Sequence, residues 1–596
     1  MRNRIFTYSI LIIAISFVAI GFTYFVSSPA VEEQQHLNIT TQNISVKDLV
    51  SSKSVSERFE KHNIFRQGDN SVTIFSDKYV DNAIRMKLDI EKLSQLYNSR
   101  PENMEFEFPG YNENIVLLLT KVNLFSKGFR LVSKNNSGET IQNYIPNGIY
   151  YQGFIKGHEK SLAAISIFEN DVTGILSDNI SNYELGKITD GKNSEDYIFF
   201  ADNNLKVSTT FNCDVDKHES KLLHEFKQAK INIEKLSGSM GARDSVKIYY
   251  ECDNAMWLDN NSNYNDLLAK VTSMHNAIQT IYSNEQIPFL ISQISYWPGV
   301  DPYSSYNDSY AILLRFSGTT KDNFFGDIAH LLSTRNAGLG GIANIRTLCQ
   351  PFNAQDSSGR YCYSNIDGGA IIPYPTYSWT VMVTTHEMGH VLGSRHTHAC
   401  VWPSQPNPNI ITAIDTCIVT AENSSFSGFG GCVPVNPANS CFRPSFGQVM
   451  SYCHFCTNNG GGILLTNGFG IGSYKPSGDT IRLRYAQASC MNGILNSSEL
   501  PSTFDLMQNY PNPFNPATTI RFAMVENGFV TLKVYDLLGR EVGVLVREQF
   551  YDKGFFTYVL NANTFNLSSG VYFYKLDVKS SDKNVYSNIR KMVLVK

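Results

Sequence analysis

Apolar positions change their spacing several times along the chain, and each change marks a separate unit. Residues 5–26 are predominantly apolar behind Arg2 and Arg4 and ahead of Ser27, Ser28, Pro29 and Ala30, a pattern that predicts an export signal cut after Ala30. The run is also long enough to span a bilayer, so a retained anchor is the alternative. No later stretch approaches about 18 consecutive apolar residues, so the rest is expected to be soluble and outside the cytoplasm. Residues 31–243 hold short apolar strands, among them 115–119 and 162–168, and predict a β-rich unit. It closes on a polar helix and linker over 214–243, whose end, Gly238-Ser239-Met240-Gly241-Ala242-Arg243, suits proteolytic nicking. From Val246 the pattern alternates between strand and helix. Residues 246–251 read as a strand, and 264–282 as a helix with Leu267, Leu268, Val271, Met274, Ala277, Ile278 and Ile281 at helical spacing. Residues 289–297 and 311–316 read as further strands, so this unit, 244–494, is expected to be α/β. Beyond Thr397 it fades into Gly, Asn, Pro and Cys, predicting a loop-rich second half. A polar linker follows at 495–503. Residues 504–596 then alternate with period two, Val530, Leu532 and Val534 against Thr531, Lys533 and Tyr535, which predicts a small β-sandwich.

Composition adds two constraints. Lys and Arg number 50 against 54 Asp and Glu, a net charge of −4 with no block of one sign, so nucleic acid is not an expected partner. Of 11 cysteines, ten lie between Cys252 and Cys490, Cys213 lies upstream, and none follows. In an exported chain that distribution predicts disulfides in the middle unit, with the pairing left open.

The chemistry concentrates in Thr384-Thr385-His386-Glu387-Met388-Gly389-His390-Val391-Leu392-Gly393-Ser394-Arg395-His396, an HExxHxxGxxH pattern. His386 and His390 are four apart and share one helix face, so both can address a single ion. Gly393 can end the helix and let the chain return with His396 as a third ligand. Three histidines and a water make an open zinc site, where the bound water's pKa falls to about 7. Glu387 then stands as the general base.

The segment resembles the zinc signature of metzincin metallopeptidases, and the middle unit resembles their reprolysin-like branch. The resemblance implies a methionine turn beneath the metal, which Gly447-Gln448-Val449-Met450-Ser451-Tyr452 fits, with Met450 as an apolar floor that does not bind zinc. It also implies a role for Tyr452 at the metal or the oxyanion, against plain packing as the alternative. Thr397 stands where reprolysins usually carry Asp, leaving the subfamily open, and spacing favours His396 over His398 and His454. Cys453-His454-Phe455-Cys456 has redox-motif spacing but lacks a βαβ setting. Gly338-Leu339-Gly340-Gly341-Ile342-Ala343-Asn344 resembles the edge strand on which metzincins lay an extended substrate, with an ordinary Gly-rich turn as the alternative. Tyr150-Tyr151-Gln152-Gly153 and the stretch 161–175 are similar to reprolysin propeptides. Cys213 resembles a cysteine switch of related proenzymes, while Asp214 offers a rival carboxylate.

At the C-terminal end, Gln508-Asn509-Tyr510-Pro511-Asn512-Pro513-Phe514-Asn515-Pro516, the segment 533–542 and Ser569-Gly570-Val571-Tyr572-Phe573-Tyr574 resemble the sorting domain of the bacterial type IX secretion system. That implies passage across the outer membrane by that machinery, with removal of the module and attachment at the surface left open; an accessory carbohydrate- or protein-binding sandwich is the alternative. Together these readings predict a secreted zinc endopeptidase acting on proteins or peptides and made as a latent proenzyme. Zn2+ is the expected cofactor and calcium is left open. The alternative is a surface adhesin whose metzincin-like domain binds without cutting.

Overall fold

The computed structural model describes residues 45–68, 79–142, 144, 147–188, 195–206, 213–215, 244–335, 338–366, 377–403, 411–415, 417–418, 446–459, 462–470, 475–491, 504–509, 511–525, 528–551, 554–580 and 583–595. The expected export signal, the nicking segment 238–243 and the linker 495–503 lie outside these residues.

The first unit is built on a ten-stranded sheet running from Glu60–His62 at one edge to Phe65–Gln67 at the other. All of its pairings are antiparallel except that of Glu60–His62 with Asn103–Phe108. One core gathers Phe106, Phe108, Tyr197 and Phe199 with Leu93 and Leu96 of the helix Ile90–Ser99. Two segments leave a lasting mark on the rest of the fold. The hairpin of β1 (Phe125–Asn135) and β2 (Gly138–Gln142) departs from the ten-stranded sheet, and β3 (Asn182–Lys187) stays within it.

The hairpin joins a second sheet whose other strands are β4 (Val246–Cys252), β5 (Phe289–Tyr296), β6 (Ile328–Ser333), β7 (Gly341–Ala343) and β8 (Tyr361–Asn365). Its order is β7-β8-β6-β4-β5-β1-β2, parallel from β8 to β1 and antiparallel at each end. Strands buried on both faces carry near-continuous apolar runs, as in Ile328-Ala329-His330-Leu331-Leu332. The expected helix is α1 (Tyr264–Asn284), packed between the two sheets and buried along most of its length. Its surface toward the first unit mixes apolar packing, Leu268 near Tyr150 and Phe168, with polar contacts. Gln152 Nε2 donates to Asn276 O at 3.0 Å and Gln279 Oε1 at 2.8 Å, and Thr173 and Ser273 hydroxyls meet at 2.8 Å.

The strand expected at 311–316 is instead part of a helix, α2 (Ser309–Thr320). Asp308 caps it by accepting from Ala311 N at 2.8 Å, and Ile312, Leu313 and Phe316 are buried at helical spacing. Six residues, apolar except for Arg315, fit either period, and the cap decides it. The last helix of this unit to concern the site is α3 (Tyr377–Val391), buried throughout its described core.

Disulfides join Cys349 to Cys490 and Cys417 to Cys453, and Cys400 and Cys456 are also disulfide-bonded. Cys252 on β4 and Cys362 on β8 depart from the expectation: they are buried thiols inside the parallel sheet. The C-terminal module forms a three-stranded and a four-stranded sheet around one core that includes Leu506, Ile520, Phe522, Leu532, Tyr574 and Met592. Val530, Leu532 and Val534 point inward there, as their alternation requires.

Candidate metal centre

The helix α3 carries His386 and His390 one turn apart, and the chain must stop there to bring a third ligand back. Gly393 does so at φ +94°, with Gly393 N donating to His390 O at 2.7 Å and Ser394 N to Gly389 O at 3.0 Å. His396 then faces the two helix histidines. Each pair among the three Nε2 atoms is 3.2 Å apart. His386 Nδ1–H donates to Val449 O and His390 Nδ1–H to Ser394 O, both at 2.8 Å, which leaves each Nε2 lone pair turned to the common centre. Burial, then the neighbouring His390 and His396, push the His386 pKa well below its ordinary value, so it is neutral and able to ligate.

The Cys213 Sγ completes the group, 3.5 Å from His390 Nε2. A tetrahedral zinc with about 2.0–2.1 Å to nitrogen and about 2.3 Å to sulfur would separate its ligands by about 3.3 Å (N to N) and about 3.6 Å (N to S). The four donors therefore fit zinc. The donor group includes the Cys213 thiol and not the Asp214 carboxylate. His398 stacks on His396 with ring centroids 5.0 Å apart, and neither it nor His454 belongs to the donor group among the described residues.

Glu387 is fully buried beside the histidines, with Oε2 3.8 Å from Cys213 Sγ. Its carboxylate lies against the edge strand β7 so closely that a Cβ at Gly341 would come within 2.1 Å of Glu387 Oε1. Residue 341 must therefore be glycine for this carboxylate to sit here. The stretch expected to resemble a substrate-binding edge forms β7, the outermost strand of its sheet, and residue 213 pairs with it in parallel, Asp214 N donating to Gly341 O at 2.9 Å.

Tyr452 is turned to the same segment. Its hydroxyl accepts from Cys213 N at 2.9 Å and donates to Cys213 O at 3.1 Å. Met450 is fully buried beneath the helix, and a Cβ on Gly389 would lie 2.7 Å from its Sδ. Thr397 donates from both N (3.1 Å) and Oγ1 (3.3 Å) to Met450 O, tying the segment of the third histidine to the methionine turn.

Sequence reasoning missed one group at this centre. Glu184 on β3 caps α3 from the first unit, accepting from Tyr377 N at 2.8 Å, Ser378 N at 3.2 Å and Ser378 Oγ at 2.5 Å. A single Glu in a strand carries no local signal for this, because the contact spans two units. Burial pushes its carboxyl up to about 8, against an ordinary 4.5. A raised folded-state pKa adds stability below about 4.5 that is lost as pH rises toward about 8. The thermal midpoint of the uncut chain is therefore expected to fall between pH 5 and pH 8 (about), and Glu184→Gln should flatten that slope in a pH series of melting curves.

Comparison with known proteins now places these units. Residues 242–443 match the Metallo-peptidase family M12 model of reprolysin-like domains, so the middle of the chain is a metallopeptidase domain of that family. Residues 508–593 match the secretion system C-terminal sorting domain, which marks a bacterial protein that is secreted or carried on the cell surface. A zinc metalloproteinase-disintegrin-like protein of Cerberus rynchops is 24% identical over 367 residues, 57% of this chain and 54% of its own length. This chain thus spans about half the length of that curated relative. Metalloproteinase-II from Bacteroides fragilis is a structural neighbour at 12% identity and TM-score 0.29, covering 52% of this chain and 86% of its own, a likeness too slight to carry argument.

Proposed function

We propose that this chain is a zinc-dependent endopeptidase, exported through type IX secretion and held latent by its own pro-region, residues 31–243. The observation that carries this reading is the set of three Nε2 atoms, mutually 3.2 Å apart, two of the rings backed by backbone carbonyls, with Glu387 beside them. His386, His390 and His396 would hold the ion, and when bound it polarises a carbonyl and lowers the pKa of water. Glu387 takes the proton from the attacking water and hands it to the leaving amine. The edge of β7, where residues 213–215 now lie, would take an extended peptide by main-chain pairing. Tyr452, freed of the Cys213 backbone, would present its hydroxyl to the developing oxyanion.

Latency follows from the same contacts. Cys213 occupies the ligand position that water needs, while Asp214 and Tyr452 hold the segment along the cleft. Cutting within 216–243 would sever it from the catalytic domain. The experiment is metal analysis and digestion of an unbiased peptide library by the full chain before and after such a cut. About one zinc per chain, with cleavage appearing after the cut and lost on chelation, is the expected result. Zinc without cleavage in either form would favour the adhesin reading instead.

The close fit at Gly341 yields a separate expectation. Gly341→Ala places a methyl 2.1 Å from where Glu387 Oε1 sits, so the carboxylate must move. Displacement of about 1 Å from reacting geometry lowers rate about 10²-fold, so kcat of the activated protein should fall on that order with its zinc content unchanged. Steady-state kinetics alongside metal analysis checks it.

A further inference from the structure

We propose that the pocket filled by Lys134 is a lysine-binding exosite of the metallopeptidase domain, open to an extended, lysine-bearing segment of a protein substrate once the pro-region has left. It rests on the reading of residues 31–243 as a removable pro-region.

Lys134 lies on β1 and reaches into the second sheet. Its Nζ is 2.8 Å from Glu251 Oε2 and 2.8 Å from Tyr249 Oη, and lies 5.5 Å from the centre of the Tyr249 ring. Outside the pocket its Nζ also meets Glu139 of its own hairpin at 3.3 Å. Glu251 is fully buried. Its other oxygen, Oε1, accepts from Trp297 Nε1 and Tyr303 Oη, both at 2.6 Å, and Tyr249 Oη donates to Oε2. Burial opposes the ammonium, yet Glu251 together with Tyr303 and Glu139 outweighs it and the Lys134 pKa rises. Burial likewise opposes the Glu251 carboxylate, and Lys134 together with the Tyr249 and Tyr303 hydroxyls outweighs it, so the Glu251 pKa is lowered.

Every pocket residue, Tyr249, Glu251, Trp297 and Tyr303, belongs to the catalytic domain, and none belongs to the metal centre. The pocket side chains therefore stay with the catalytic domain when the pro-region leaves and takes Lys134 and Glu139 with it. Glu251, still ringed by Tyr249, Trp297 and Tyr303, then offers a carboxylate without a counter-charge, which favours a new cation. Its shape selects lysine over arginine. With Oε1 occupied by Trp297 and Tyr303, the free acceptors are one carboxylate oxygen and the Tyr249 phenol, which suit a compact point charge rather than a planar fork that pairs with both oxygens of one carboxylate.

Departure of β1 also bares the edge of β5, whose residues Gln293, Ile294, Ser295 and Tyr296 pair in parallel with Arg130, Leu131, Val132 and Ser133. An extended strand can replace that pairing, with its lysine following into the pocket. A main-chain edge and a lysine pocket side by side define one ligand, a lysine-bearing extended polypeptide.

The test uses full-length protein cut within 216–243, freed of the pro-region and carrying Glu387→Ala so that probes survive. The probes are a synthetic peptide of residues 123–142 and its Lys134→Met and Lys134→Arg versions, followed by fluorescence anisotropy. The lysine peptide should bind about tenfold or more tightly than either version, and Glu251→Gln should erase the difference. Equal binding of the three, or binding of none, overturns the exosite without any change having been made to the protein. With active protein and unfolded casein, acetylating the casein lysines should raise KM about tenfold, and should not do so for Glu251→Gln. An unchanged KM would overturn the assignment to substrates. Cleavage without lysine-dependent binding faults the exosite alone, whereas lysine-dependent binding without cleavage faults the protease reading.

Discussion

Replacing Glu387 with alanine is expected to lower peptide hydrolysis by the activated protein about 10²–10⁴-fold while its zinc content stays unchanged. The separation follows from geometry. Of the three imidazoles that would hold the ion, two are fixed by hydrogen bonds, His386 Nδ1 to Val449 O and His390 Nδ1 to Ser394 O, and the third, His396, stacks on His398; none of these contacts runs through Glu387. Alanine also keeps the helix, since it is the best helix former and the position lies in the interior of α3. What disappears is a carboxylate within reach of the attacking water, and general-base catalysis is worth about that factor. Glu387→Gln should behave the same way, because an amide of equal size cannot accept the proton. Retained zinc with rates within about twofold of the parent protein would remove Glu387 from the mechanism. Loss of zinc in both variants would assign it a structural role instead.

How much of this was legible beforehand depends on the range over which each contact is specified. The histidine cluster is local: a helix places residues four apart on one face, and a glycine at φ +94° returns the chain, so the convergence of His386, His390 and His396 could be read from their spacing. The C-terminal module was legible for a similar reason, since one face of each strand is buried and Val530, Leu532 and Val534 alternate accordingly. Helix α2 was misread because so short a segment, apolar except for Arg315, satisfies both periods, although Asp308 was present as a capping signal. Cys252 and Cys362 escaped because compartment argues for disulfides, while burial in a parallel sheet, invisible until strand order is known, keeps the two thiols apart from any partner sulfur.

The contacts between the units were least legible of all. Glu184 caps α3 from β3, and Lys134 meets Glu251 across 117 residues, pairings fixed by sheet order rather than by any spacing. Their placement suggests why the pro-region would be both firmly held and separable. Toward it α1 presents Ser273, Asn276 and Gln279, side chains that exchange their present hydrogen bonds for water at little net cost. The firmer attachments are the ladder between β1 and β5, the apolar packing of Leu131, Tyr150 and Leu162 into the core of the second unit, the Lys134–Glu251 pair and, at the site itself, Tyr452 and the Cys213 thiol.

The last of these attachments is the thiol, and its removal has the second large effect. In the uncut chain, Cys213→Ser is expected to raise peptide hydrolysis well above that of the parent precursor, yet to leave it below that of the cut protein. A neutral hydroxyl is a far weaker zinc ligand than a thiolate, so water gains access to the position that Sγ now fills. The segment does not leave with the sulfur, however. Tyr452 still holds residue 213 through its N and O at 2.9 and 3.1 Å, Asp214 N still pairs with Gly341 O, and the edge of β7 stays covered. Substrate must displace that strand, which keeps the variant from full activity until the linker is cut. A measurement independent of activity accompanies this one. The cobalt-substituted precursor should show a thiolate-to-metal charge-transfer band that Cys213→Ser abolishes, because no other sulfur belongs to the donor group among the described residues. A variant as silent as the parent, with an unchanged cobalt spectrum, would sink the thiol as the latch and return the question to Asp214, whose carboxylate would then have to swing toward the histidines.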